Sequence, residues 1–356
     1  MIRLEKRTST SMAYQVFSPV FSILCAFAFG AVFLRVSGFD PVDVYVRMLT
    51  GAFGDLYGWA ETLVKAIPIM LCALGVSVAF RMLLWNIGAE GQLYMGAFGA
   101  SWVALSLPEA PAVILLPLMV AAGMAAGALW ALVAAIPRAF LRVNEIITTL
   151  MLNYVAIYWV EYLIYGPFRD PSAYNFPLSV PFAGAARLPV IGDTRIHAGI
   201  FFAILAAALL VFVLGKTRWG YEMKVLGDSP EVGRYAGINV RLHIVVALCM
   251  SGALAGLAGM SEVSAIAGRL QHGLSPGYGY TAIIVACLAR LNPWGIIIVS
   301  ILFGGLLVGG YSAQFIGVPA AAVNMLQGAM LFFVLVAEFL GRYRLSLGGS
   351  AVEEVG

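Results

Sequence analysis

Apolar residues run in long stretches, broken by short polar punctuation, along nearly the whole chain. About 20 consecutive apolar residues are enough for a helix to cross the hydrocarbon of a bilayer. On that pattern about ten spans are predicted, starting near Tyr14, Thr62, Glu90, Pro111, Glu145, Ile196, Leu242, Gly279, Asn292 and Pro319. The eighth is short and runs almost directly into the ninth. The predicted fold is therefore an all-α polytopic membrane protein. A tail of residues 1–13 leads into one transmembrane domain, 14–340, which contains a polar loop at 215–241, and a second tail follows at 341–356. The first span follows MIRLEKR as a signal peptide's core would, but it is too long for one and lacks a clean small-residue cleavage site. It is read as a retained span.

Composition agrees with this pattern. The chain is 62% hydrophobic and 11% charged, against roughly a quarter charged in soluble domains, too little to cover a water-facing surface. The formal charge of +3 is too small to suggest nucleic acid, and its distribution is more telling. With the N-terminus and its Arg3, Lys6 and Arg7 in the cytoplasm, alternation of the spans puts Arg81, Arg138, Arg142, Lys216, Arg218, Lys224, Arg234, Arg241 and Arg290 on the same side. Both termini are then cytoplasmic, in a multi-pass protein of the cell membrane. Cys25, Cys72, Cys249 and Cys287 all lie in apolar runs with no paired spacing and read as small core residues. His197, His243 and His272 lack metal-ligand spacing, so no metal is expected.

Small residues let helices approach closely in lipid. Gly123/Gly127, Gly252/Gly256 and Gly305/Gly309 each have G-x-x-x-G spacing, which suits packing within one bundle or contact with a second chain. A faint internal echo places Arg81 before WNIG (85–88) and Arg290 before NPWG (292–295), both at tight turns between spans.

The polar loop contains GDSPEVGRYAGINV (227–240). Ser229 suits an N-cap, Pro230 the first helical position, Glu231 the positive end of the dipole and Gly237 a left-handed C-terminal residue. About two turns of helix result, from Pro230 to Ala236. So short a helix is unstable alone in water and must pack on something. It is either tucked on the bundle's own ends or a docking element, with Arg234 and Tyr235 as its contacts.

Several motifs together narrow the choice. FRMLLWNIGAEGQLYMGAFGA (80–100), NEIITTLMLNY (144–154), GDSPEVGRYAGINV and PGYGYTAIIVACLARLNPWG (276–295) resemble the permease subunits of ABC importers. The likeness covers roughly residues 60–340 and is nearest to the branch that works with basic-membrane-protein-type lipoprotein receptors. That branch carries nucleosides, and related permeases carry simple sugars such as ribose. The resemblance implies that Ser229, Pro230, Glu231, Gly233, Arg234, Tyr235, Ala236 and Gly237 form a coupling helix seated in a separate ATPase. It implies further partners: a second, distinct permease chain and an extracytoplasmic substrate-binding lipoprotein. ATP and magnesium would be bound by the partner ATPase, since this chain lacks G-x-x-x-x-G-K-[ST].

Polar side chains within spans are costly and tend to face the bundle interior or a cavity. Asn86, Glu90 and Gln92 lie in a glycine-rich stretch where the second span gives way to the third, so a broken helix is expected there. Asn144, Glu145, Thr148, Thr149 and Asn153 open the fifth span, and 145, 149 and 153 share one face. Both groups are candidates for the substrate pathway. Helix capping and interhelical hydrogen bonding are the alternatives. Asn153 with Tyr154, Tyr158 or Trp159 has the hydrogen-bonding and stacking groups a nucleoside requires. The outer loops 166–179 and 268–280 read as ordered caps or as landing surfaces for a receptor. An ion-coupled transporter would want a charge at mid-span. Lys65, Glu90, Glu145, Glu161 and Glu338 all fall near predicted span ends, which counts against it. No buried acid–base cluster of the kind an intramembrane enzyme needs is evident.

Overall fold

The computed structural model describes residues 2–6, 12–174 and 176–347; Arg7, Asn175 of the outer loop and the tail beyond Leu347 lie outside the described residues. In chain order the elements begin with β1 (Ile2–Lys6), α1 (Met12–Val36), α2 (Pro41–Phe53), α3 (Leu56–Phe80), α4 (Ala89–Ser106) and α5 (Ala112–Ile136), which ends in a π turn at Pro137–Leu141. Then come α6 (Glu145–Tyr165), α7 (Gly199–Lys216), α8 (Arg218–Asp228), α9 (Pro230–Tyr235) and α10 (Val240–Glu262), with a second π turn at Val263–Ala267. The chain closes with α11 (Tyr278–Leu288), α12 (Pro293–Gln314), α13 (Ala320–Arg342) and β2 (Tyr343–Leu347).

Among the described residues, seven helices are long and apolar enough to cross a membrane: α3, α5 with its π turn, α6, α7, α10 with its π turn, α12 and α13. Three further helices, α1, α4 and α11, coincide with the remaining predicted spans. Among them α11 and the described apolar part of α1 (Val20–Val36) are shorter than the usual span. Helix α4 is continuous, with Glu90 and Gln92 at its start, and the break expected there lies before it, at residues 81–88. The pattern missed α2 and α8, since PVDVYVRMLTGAF and RWGYEMKVLGD carry too many polar residues to read as spans.

The chain divides into two compact units. One gathers the residues up to Val46 with those from Ala313 onward. In it α1 packs on α13: a Cβ on Gly30 would meet Leu326, and Tyr45 donates to the Phe27 carbonyl at 2.7 Å. The two tails pair as an antiparallel ladder, Ile2 opposite Leu347 and Lys6 opposite Tyr343.

The other unit, Arg47–Ser312, has α3 at its centre. In the most apolar stretch of α3, 89% of positions are buried, against 22% in α5 and 28% in each of α6 and α7. A helix apolar all round is stable only when enclosed, and α3 is enclosed by α10, α11 and α7. Beside it α4, α5 and α10 meet through glycine. A Cβ on Gly256 would strike the Gly123 carbonyl, one on Gly127 would strike that of Gly252, and one on Gly96 would strike Gly256. Gly305 and Gly309 close in the same way on Phe53 and Met48. All three G-x-x-x-G pairs are therefore used in packing within the chain. The WNIG and NPWG turns also meet: Arg81 Nη2 donates to the Leu291 carbonyl at 2.9 Å.

Candidate functional site

Two places carry the polar chemistry of the larger unit. The first is the break between α3 and α4. Residues 81–88 leave the helical path, with Leu83 held at φ 56, and their backbone groups need partners from elsewhere. Side chains of α6 supply them in sequence. Glu145 Oε1 accepts from Trp85 N at 3.4 Å, Thr149 Oγ1 from Ile87 N at 3.2 Å, and Asn153 Oδ1 from Gly91 N at 2.8 Å. Asn153 Nδ2 also donates to the Ile87 carbonyl at 2.9 Å and to Tyr280 Oη at 3.2 Å. The spacing of four along α6 thus forms a ladder that carries the irregular segment upward.

Asn86 closes the break from inside. It exchanges hydrogen bonds with Gln92, donates to Ser251 Oγ on α10 at 2.8 Å, and accepts from Gly88 N at 3.0 Å. Glu90 accepts from Gly279 N at 2.7 Å, so its carboxylate sits at the N-terminus of α11, where the helix dipole favours negative charge. Gly279 stands nine residues, about 14 Å of helix, from Leu288 at the Arg81–Leu291 turn. Glu90 thus stands in the first turn of α4, as the pattern placed it, and is buried there against the N-terminus of α11. Its neighbours are too close for any other residue at 279, since a Cβ there would strike the Glu90 backbone.

Asn86, Glu90, Gln92, Glu145, Thr149 and Asn153 are all buried and come together around this break. Asn144 and Thr148 do not. Asn144 caps α6 by accepting from Ile146 N at 2.9 Å, and Thr148 Oγ1 bonds back to the Asn144 carbonyl. The pattern missed Ser251, Tyr278 and Glu262, and it put Lys65 near a span end, whereas Lys65 stands well inside α3 because that helix begins at Leu56. Lys65 Nζ donates to Tyr278 Oη at 3.1 Å, and Glu262 is buried where α10 passes into its π turn. Their signal was a single polar residue in an apolar run, which says nothing about its partners. Elsewhere on α6, Met151, Tyr154, Tyr158 and Tyr162 are exposed, and Tyr280 of α11 is partly so.

The loops 166–179 and 268–280 are ordered by each other. Ser179 N donates to the Leu270 carbonyl and Ser179 Oγ accepts from Leu270 N, both at 2.9 Å. Asp170 is held below its ordinary pKa by hydrogen bonds from the Ser172 hydroxyl and backbone.

The second place is the α8–α9 loop. Thr217 caps α8 and Ser229 caps α9, accepting from Gly220 N at 3.2 Å and Val232 N at 3.4 Å. Pro230 takes the first helical position, and Gly237 lies at φ 77 beyond the C-cap residue Ala236. Glu231 and Arg234 stand at the ends of α9 that the dipole prefers. One face of the helix is tucked in: Gly233 is buried against Leu226, and Gly227 lies on the Arg81 carbonyl. The opposite face is bare, with Tyr235 94% and Val232 58% exposed and Arg234 also exposed. Glu222 pairs with Arg218 of its own helix at 2.7 Å and ties α8 to α10 through His243 at 3.0 Å. These contacts, the Arg218 hydrogen bond first, hold its carboxylate below the ordinary range.

Residues 58–335 match a family described as "Branched-chain amino acid transport system / permease component". The glucose ABC transporter permease of Haloferax volcanii is 37% identical, over 97% of this chain and 94% of its own length. The guanosine ABC transporter permease of Bacillus subtilis is 33% identical, over 89% and 92%. The nucleoside ABC transporter permease of Lactococcus lactis is 30% identical, over 90% and 91%. No solved structure matches the chain.

Proposed function

Since the chain belongs to the branched-chain amino acid transport system permease family and is a multi-pass membrane protein, we propose that it is the translocating subunit of an ATP-driven nucleoside importer. The observation that carries the reading is the α8–α9 loop. It presents Arg234 and Tyr235 on a helix that is rigid on one side and uncovered on the other. A separate ATPase seated on that bare face pushes the loop. The Gly227 contact on the Arg81 carbonyl delivers the push to the α3–α4 break. ATP and magnesium belong to the ATPase, and no catalysis is assigned to this chain. A second, distinct permease chain and an extracytoplasmic lipoprotein receptor complete the importer.

Ten spans with both termini cytoplasmic fit the family reading. The pairing of β1 with β2 supports it, because tails that pair lie on one side and require an even number of crossings. The polar ladder Asn86–Asn153 shapes the pathway by fixing the break, and the exposed tyrosines Tyr154, Tyr158 and Tyr280 offer the flat surfaces a base stacks on. A simple sugar is the second reading, favoured by the identity to the glucose permease.

Deletion of the gene followed by uptake of labelled guanosine and labelled glucose tests both readings. Loss of guanosine uptake alone supports the nucleoside, loss of glucose uptake alone the sugar. Accumulation by the purified chain alone in sealed vesicles, with no ATPase present, would refute ATP-driven import.

A further inference from the structure

The two π turns differ in what surrounds them, and the one at Pro137–Leu141 borders an open, strongly basic groove. A cavity of about 670 Å³ lies between this turn, α9 and the start of α10, and Arg138, Arg142, Arg234 and Arg241 all line it. Only Arg138 is in an ion pair among the described residues, with Glu145 at 3.0 Å. The guanidinium of Arg241 rests over the Phe140 ring at 5.4 Å, which fixes it on the rim. Three guanidinium groups thus share one groove with no described carboxylate to neutralise them. Like charges crowded in this way repel, so the arrangement is complete only with an anion.

The groove also has an apolar margin. Phe140 lines it and is 56% exposed. Ile136, Leu141 and Leu242, which stand next to or near lining residues in the chain, are 47%, 74% and 56% exposed respectively. These residues end α5 and begin α10, two helices long and apolar enough to span. Acyl chains cover such residues in a bilayer, and the arginines stand where those helices leave it. An ordinary phosphate would use the basic part alone. A phospholipid uses both, its phosphodiester among the arginines and its chains on the apolar margin.

We propose that this groove is a binding site for one anionic phospholipid, held by its phosphodiester headgroup through Arg142 and Arg241. The site goes beyond the transport reading and does not depend on which solute is carried. Arginine suits it because its planar fork meets phosphate oxygens in pairs. Bound lipid would bridge the π turn of α5 to the root of the α8–α9 loop.

The test uses the full chain in detergent micelles, with native mass spectrometry to count retained phosphatidylglycerol or phosphatidylcholine. The double variant Arg142→Gln/Arg241→Gln spares Arg138, which pairs with Glu145, and Arg234, which the transport reading gives to the ATPase. It is expected to weaken phosphatidylglycerol retention on the order of 30-fold while leaving phosphatidylcholine unchanged. The charge-keeping pair Arg142→Lys/Arg241→Lys is expected to retain most of the binding, which separates lost charge from lost folding. Equal retention of phosphatidylglycerol in wild type and the glutamine pair would overturn the proposal. So would equal loss in the lysine pair, or complete displacement of the lipid by excess inorganic phosphate. Loss of a copurifying ATPase with phosphatidylglycerol still retained would instead assign the groove to that protein and overturn the lipid site.

Discussion

Replacing Asn153 by leucine probes the ladder that holds the α3–α4 break. Leucine has nearly the same volume and suits an apolar helix, so the substitution isolates the polar role. Asn153 serves three groups: Gly91 N at 2.8 Å, the Ile87 carbonyl at 2.9 Å and Tyr280 Oη at 3.2 Å. The first is a buried first-turn N–H of α4, which has no acceptor within its own helix, and the second is a part-buried carbonyl of the irregular segment 81–88. An orphaned buried backbone group costs about 1–3 kcal/mol, so two of them give about 2–6 kcal/mol. Side-chain hydrogen bonds between membrane helices average only about 0.6 kcal/mol, because the alternative state also finds partners. An irregular segment has fewer such alternatives, and we expect a loss near the lower end, about 2–4 kcal/mol. Tyr280 is partly exposed, so its hydroxyl can turn to water, and Tyr280→Phe is expected to cost under about 0.5 kcal/mol. The assay is unfolding by denaturing detergent in mixed micelles, comparing the two variants with wild type. Cysteine labelling at Ile87→Cys, in the presence and absence of Asn153→Leu, reports whether the segment opens. If Asn153→Leu costs no more than Tyr280→Phe and labelling is unchanged, the ladder does not hold the break and the reasoning fails.

Arg234→Glu should leave the chain inserted and folded but abolish copurification of the ATPase from native membranes; full retention of that partner would remove the role given to α9. Gly237→Ala, at φ 77, should cost about 1–2 kcal/mol through its backbone alone, read in the same unfolding assay. Gly256→Ala places a Cβ against the Gly123 carbonyl, and we expect destabilisation of about 1–3 kcal/mol; an unchanged unfolding curve would show that α4, α5 and α10 have slack. Because the folded Glu222 carboxylate has a lowered pKa, its stabilisation is present above the ordinary carboxylate range and is lost as pH falls through the folded value. Wild type and Glu222→Gln should therefore differ in stability at neutral pH and converge on acidification, which unfolding at several pH values checks.

Hydrophobic runs in the sequence were enough to place every long helix, because a bilayer imposes one length and one polarity on whatever crosses it. The caps of α9 were equally legible. Ser229, Pro230 and Gly237 act through local backbone geometry that neighbouring residues alone dictate. The four-residue spacing of Glu145, Thr149 and Asn153 announced a common face, but not what that face would meet. Only the tertiary structure decided that it meets the unwound segment 81–88 and the start of α4, and that Asn144 and Thr148 stay outside, the one as the cap of α6 and the other bonded back to it. It also placed Glu90 in the bundle interior against α11, a partner 189 residues away. The glycine pairs could have joined two chains or one, and the folded contacts chose one. Periodicity reports how a residue sits on its own helix. Which helices become neighbours depends on how all their surfaces fit at once, and no local stretch of sequence contains that information.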